Sequence, residues 1–153
     1  MILLLTQSSK TGANYLLAED CKKLIEHFGK EAEILNFNDE VDIEKYESFF
    51  MIVPEWNRSI PYTLKSLIDN SGWPSKFNNK DVYMIGTSGG IGGNMIGISH
   101  LTDILDYIGA HVRTPKIYIE HITKFDKTSD EAKETTNLIT KIIKKACSTA
   151  INV

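Results

Sequence analysis

Three segments of the 153-residue chain carry residues that could together hold an anion, a planar ring and the ring's polar edge. The first, TQSSKTGAN (residues 6–14), is rich in hydroxyls and opens a helical stretch. Backbone N–H groups at a helix start cradle phosphate well, because their unpaired donors and the helix dipole both favour an anion. Ser8, Ser9, Lys10, Thr11, Gly12, Ala13 and Asn14 are the residues of that cradle, although ordinary N-capping by Ser, Thr or Asn explains them too. No G-x-x-x-x-G-K-[ST] is present, so this is not a nucleoside-triphosphate loop. The third segment, GTSGGIGGN (86–94), has five glycines among nine residues and can bring exposed amides close to a ligand. It contains no G-x-G-x-x-G, and a flexible turn is the competing explanation. Between the two, PEWNRSIPYTLKSLIDN (54–70) sets Trp56 on a loop beside Pro54, Glu55 and Asn57. An aromatic placed there can stack on a flat ring while amides and Asn57 satisfy its edges.

Other reactive residue types fit bland roles. His27, His100, His111 and His121 lack metal-ligand spacing, so no metal site is expected. Cys21 and Cys147, with no C-x-x-C, read as core residues of the first and last helices. Arg58 could meet a phosphate or simply be solvated. Lys141, Lys144 and Lys145 read as the outer face of the last helix, near its C-terminus where cations are favourable.

The elements that position these loops follow from apolar patterning. Residues 2–5, 32–37, 48–53 and 82–86 read as strands, and Val112 with 117–119 as a fifth. Leu17, Cys21, Leu24, Ile25 and Phe28 form one helical face; Pro61 starts a helix bearing Leu64, Leu67 and Ile68. Further helices carry Leu101, Ile104, Leu105 and Ile108, and Ala132, Ile139, Ile142, Ile143 and Ala146, the last over 130–147. Residues 39–47 read as a loop with a helical turn. Alternating strands and helices predict an α/β three-layer sandwich around a five-stranded parallel sheet of flavodoxin-like order 2-1-3-4-5. In such a sheet ligands bind outside the carboxyl ends of strands 1, 3 and 4, where the three loops fall.

With no linker or repeat, residues 1–153 are expected to form a single domain. A net charge of −3 from 17 basic and 20 acidic residues argues against nucleic acid or an anionic membrane surface as partner. MILLL lacks the features of a secretory leader, and no apolar run approaches the ~20 residues that span a bilayer. A cytoplasmic setting with reduced thiols is expected.

PEWNRSIPYTLKSLID (54–69) resembles the P-E-[YF]-N-x-S-x-P-x-x-L-K-x-x-[IL]-D signature of the NADPH-dependent FMN reductase family, which includes chromate and quinone reductases and some azoreductases. GTSGGIGGN followed by LTDILDYIGAHV (101–112) is similar to that family's glycine loop and the helix after it. The resemblance runs over 48–112. It implies bound FMN and NADPH or NADH as co-substrate. It implies a small-molecule acceptor (a quinone, azo compound, metal oxyanion or free flavin) reduced by a ping-pong route, in a homodimer or homotetramer. Pro54, Glu55, Trp56 and Asn57 would lie beside the isoalloxazine; Thr87, Ser88, Gly89, Gly90 and Gly93 would line its pyrimidine end; residues 8–14 would hold the phosphate. The flavin N5 carries the chemistry, so no catalytic side chain is assigned.

The first loop departs from the family pattern G-S-x-R-x-x-S-x-N. Thr6 and Gln7 stand for Gly-Ser, Ser9 for Arg with Lys10 beside it, and Gly12 for Ser, while Asn14 matches. SKTGAN is closer to the flavodoxin loop T-x-T-G-x-T. Two alternatives therefore stand beside the reductase: an FMN electron carrier that does not oxidise NAD(P)H, and a flavin-free binding protein. Leu64, Leu67 and Ile68 could form a subunit contact or pack in the core.

Overall fold

The computed structural model describes residues 1–148. Strand β1 (Ile2–Thr6) is buried at every position, and β3 (Ser48–Pro54) likewise, as their unbroken apolar runs require of strands covered on both faces. With β2 (Ala32–Asn36), β4 (Asp81–Thr87) and β5 (His111–Val112) they form a parallel sheet in the order β2-β1-β3-β4-β5.

The fifth position differs in detail from the single strand expected there. Two short pieces, β5 and β6 (Ile117–Ile119), both run parallel to β4, pairing with Asp81–Val82 and with Ile85–Thr87 in turn. Pro115 lies between them and has no N–H to continue a ladder.

Alternate strand residues build two cores. Leu3, Leu5, Phe49, Met51, Val53 and Met84 pack on one face beneath α2 (Tyr62–Asp69) and α3 (Met95–Tyr107). Ile2, Leu4, Phe50, Ile52, Tyr83 and Ile85 pack on the other beneath α1 (Ala13–His27) and α4 (Asp130–Ser148). There the Phe50 and Tyr83 rings stack at 4.7 Å and 9°, and each such buried ring contributes about 1.5–3 kcal/mol. Leu64 and Ile68 are buried in the first core, and the partly buried Leu67 packs against it, so core packing accounts for this stripe. Cys21 and Cys147 sit in the second core, and burial pushes the Cys21 thiol up to about 12. A 3₁₀ turn, Ile43–Lys45, interrupts the acidic loop as expected.

Candidate active site

The parallel register brings the carboxyl ends of β1, β3 and β4 to one edge, with Pro54 directly opposite Thr87. The three distinctive loops leave from that edge. Side chains then tie them together. The Thr87 hydroxyl donates to the Asn14 carboxamide oxygen at 2.6 Å, joining the third loop to the first turn of α1. The Glu55 N–H donates to the Thr87 carbonyl at 2.8 Å, and the Asn94 amide donates to the Val53 carbonyl at 3.1 Å, joining the second loop to the third. Thr63 donates to Gln7 at 3.0 Å, fixing the start of α2 beside the first loop.

The first loop offers an uncapped helix. Gly12 occupies the N-cap position and no side chain caps α1, so ordinary capping does not account for the hydroxyls around it. The Ser8 N–H donates to Asn36 at 2.9 Å, the Ser8 hydroxyl to the Ser9 carbonyl at 3.1 Å, and the Ser9 and Thr11 hydroxyls lie 3.4 Å apart. A Cβ at Gly12 would stand 2.2 Å from the Ser8 hydroxyl and 3.2 Å from the Ser9 carbonyl, so a larger residue there would have to displace the Ser8 side chain. Lys10 and Thr11 are exposed, and Thr6 beneath them is fully buried with its hydroxyl unpartnered. An uncapped helix start ringed by hydroxyls, with one cation at its lip, fits a phosphate group.

Trp56 heads a tight hairpin. Its N–H and carbonyl exchange hydrogen bonds with Ser59 at 3.0 and 3.1 Å, while Asn57 and Arg58 both take positive φ (50° and 63°), the signature of a type I′ turn. The indole is 40% exposed and rests at 6.0 Å against the Tyr62 ring, so one side is supported and part stays open. Ser59 reaches His100 on α3 at 3.3 Å.

The glycine loop divides by role. A Cβ at Gly86 would lie 2.2 Å from the Gly93 carbonyl, and one at Gly93 would lie 2.7 Å from both the Ile119 nitrogen and the Tyr118 Cβ. These two glycines serve close packing. Gly89 and Gly90 are exposed, with open space where a Cβ would point. The Ser88 hydroxyl is spent inside the loop, donating to the Gly90 carbonyl at 2.7 Å and accepting from the Gly93 N–H at 3.0 Å. Among the described residues no three His, Cys, Asp or Glu side chains are grouped to hold a metal.

Residues 40–124, more than half of the chain, match the NADPH-dependent FMN reductase family. The chain belongs to that family. A curated relative, the 2-hydroxy-1,4-benzoquinone reductase of Burkholderia sp, is 34% identical over 79 residues; the match spans 49% of this chain and 43% of that protein. The fold of the NADPH-dependent FMN reductase member described here also resembles two solved structures. The flavoenzyme NAD(P)H:(acceptor) oxidoreductase FerB from Paracoccus denitrificans is 19% identical with a TM-score of 0.73, covering 95% of this chain and 93% of that one. The two-electron reduced flavodoxin of Megasphaera elsdenii is 17% identical with a TM-score of 0.70, covering 92% and 99%.

Sequence reasoning missed two parts of this edge. Residues 119–122 brace the glycine loop: Ser88 N–H donates to the Ile119 carbonyl, Ile122 N–H to Ser88, His121 N–H to Gly90, each at 3.0 Å, and Gly92 N–H to the Glu120 carboxylate at 2.6 Å. Asn36 and Asn94 hold the other loops. The available signal was positional, since both asparagines stand at the boundary of an apolar element.

Proposed function

We propose that this family member is an FMN-dependent NAD(P)H oxidoreductase acting as one flavin-binding domain over residues 1–153. The observation that carries the reading is the joining of three unlike surfaces at one sheet edge: an uncapped helix start, a half-open indole, and the exposed backbone of Gly89 and Gly90. Each suits a different part of FMN. Ser8, Ser9, Lys10, Thr11, Gly12, Ala13 and Asn14 hold the phosphate through backbone N–H groups, hydroxyls and the Lys10 charge. Pro54, Glu55, Trp56 and Asn57 flank the ring, with the indole as side plate. Thr87, Gly89 and Gly90 face the ring's polar end, and Ser88 and Gly93 shape the turn that presents them.

Bound FMN supplies the redox chemistry, taking two electrons and a proton from NADPH or NADH and passing them to an acceptor that succeeds the nicotinamide, a ping-pong sequence. The chain's own contribution is position and field. Backbone N–H groups of Gly89 and Gly90 would favour added negative charge on a bound flavin, and the Thr87–Asn14 and Asn94–Val53 bonds would hold their loop in place. No side chain is required to move a proton. The acceptor is a small molecule such as a quinone, azo compound, metal oxyanion or free flavin; the benzoquinone reductase relative supports the quinone class first. Two unpaired, buried thiols favour the cytoplasm, and the family resemblance favours a homodimer or homotetramer.

The test is a visible spectrum of the purified protein with FMN, followed by anaerobic NADPH or NADH. Bleaching of the bound flavin is expected. Colour that persists with both nucleotides would replace the reductase by an electron carrier, and failure to bind FMN at all would leave a flavin-free binding protein.

A further inference from the structure

The Asn94 side chain makes a connection that neither the flavin reading nor helix capping requires. It is fully buried between α3 and the end of β3, on a residue held in the left-handed region at φ 61° and ψ 35°. Asparagine tolerates that region better than most residues. From the N-cap position of α3 the side chain makes no capping bond, and its amide donates instead to the Val53 carbonyl at 3.1 Å. Its oxygen is buried without a partner. Room for the carboxamide comes from Gly97, where a Cβ would stand 2.2 Å from the Asn94 oxygen and 2.8 Å from its nitrogen. A buried acceptor left unsatisfied costs about 1–3 kcal/mol, so this arrangement is poor as a cap. It persists because the other half of the carboxamide does something a cap would not.

Val53 immediately precedes Pro54, Glu55 and Trp56, and Asn94 immediately follows Gly92 and Gly93. The bond therefore links the strand that leads to the indole to the loop that carries the exposed Gly89 and Gly90. Around that bond Val53 pairs with Gly86 and Pro54 with Thr87 in the parallel ladder, the Glu55 N–H donates to the Thr87 carbonyl at 2.8 Å, and Ser59 reaches His100 on α3 at 3.3 Å; among these links Asn94 is the side-chain tie made to the last carbonyl before Pro54.

We propose that Asn94 is a positioning residue that sets the separation of the indole wall and the glycine wall, with Gly97 as its obligatory partner. The flavin part of this proposal rests on the function proposed above. The wall-coupling part does not.

Asn94→Gly is the main variant, because glycine adopts the native backbone freely and loses only the side chain. Asn94→Asp keeps the shape and replaces the donor by an acceptor facing the Val53 carbonyl. Amide hydrogen exchange in the protein without flavin is the first readout. Both variants are expected to speed exchange roughly five- to tenfold at Glu55 and Ser59 on one wall and at Gly93 on the other, the loss of one hydrogen bond of ordinary strength. Faster exchange confined to Ile98 and the first turn of α3 would make Asn94 a mere helix-start residue and overturn the proposal. Loss of the cooperative melt in both variants would overturn it too, by making Asn94 a determinant of the whole fold. The second readout is FMN affinity by flavin fluorescence, expected to weaken roughly tenfold while melting stays within a few degrees. Unchanged FMN affinity beside faster exchange would overturn the positioning role in binding. If the unaltered chain binds no FMN, the function proposed above fails, and the exchange pattern alone decides the coupling.

Discussion

The Thr87 hydroxyl donates to Asn14 at 2.6 Å, across 73 residues of sequence, and so joins the glycine loop to the uncapped start of α1, where we propose the phosphate binds. Thr87→Val keeps the shape and removes the donor. We expect FMN to bind about five- to tenfold more weakly and the fold to lose about 1 kcal/mol, the ordinary worth of one side-chain hydrogen bond. Flavin fluorescence titration and urea unfolding measure the two; an unchanged dissociation constant would separate this bond from the binding site.

The glycines of residues 86–93 should sort by experiment as they sort by geometry. Gly86→Ala must displace the Gly93 carbonyl, which stands 2.2 Å from the new methyl, and is expected to cost about 1–3 kcal/mol and lower the melting temperature. Gly89→Ala and Gly90→Ala meet open space, so their melting temperatures should stay near that of the unaltered protein while FMN affinity falls. The reverse ordering would show that the open pair is structural.

Trp56 and Trp73 are the two tryptophans of the chain, and Trp73 is 78% exposed. In a Trp73→Phe background the emission reports Trp56 alone. FMN should quench it strongly through ring contact, whereas emission unchanged in the FMN-bound protein would remove the indole from the flavin wall.

Much of this architecture was legible because packing repeats. The apolar face Leu17, Cys21, Leu24, Ile25 and Phe28 needed only the helical period, and the unbroken run before Pro54 needed only a strand covered on both sides. Val112 and 117–119 were legible as the fifth strand, but not that they pair with β4 as two separate pieces with Pro115 between them. Leu64, Leu67 and Ile68 could not be assigned to core or contact from one helix, since both would demand the same apolar stripe. At the site, the loops were legible by composition but their internal division was not. Nothing in GTSGGIGGN says that Gly93 sits under Tyr118 and Ile119 while Gly89 is open, because that depends on a segment about thirty residues later. The Trp56 turn was equally hidden, since Arg58 is an unusual residue at positive φ.

Cys21 should be inert in the native protein. Burial foremost, and the neighbouring Asp20 carboxylate next, raise its thiol to about 12, so little thiolate exists at neutral pH. Iodoacetamide is expected to label it only on unfolding. Rapid native labelling, read by mass spectrometry, would show that the helix opens.

Glu33 lies between the Tyr46 hydroxyl at 2.6 Å and the Lys45 ammonium at 2.9 Å. The Tyr46 hydrogen bond first, and the Lys45 hydrogen bond next, hold its carboxyl below the usual carboxylate range. A carboxyl so depressed stabilises the fold above the ordinary glutamate value of about 4.3 and loses that contribution as pH falls through its folded value. The native protein should therefore melt higher than Glu33→Gln at neutral pH, and the gap should close in acid. A gap independent of pH would mean that shape, not charge, matters there.

The interruption at Pro115 also bears on how copies of this chain behave when crowded together. A long exposed border strand offers a row of free donors and acceptors on which another chain can add itself, and growth by such addition leads to aggregates. Here the border beyond β4 consists of two-residue and three-residue pieces separated by four residues, among them Pro115, which has no N–H. Neither piece is long enough to template a neighbour. The break that cost the sheet a regular fifth strand therefore leaves this border a poor template for strand addition, unlike the unbroken five-residue β2 at the opposite border.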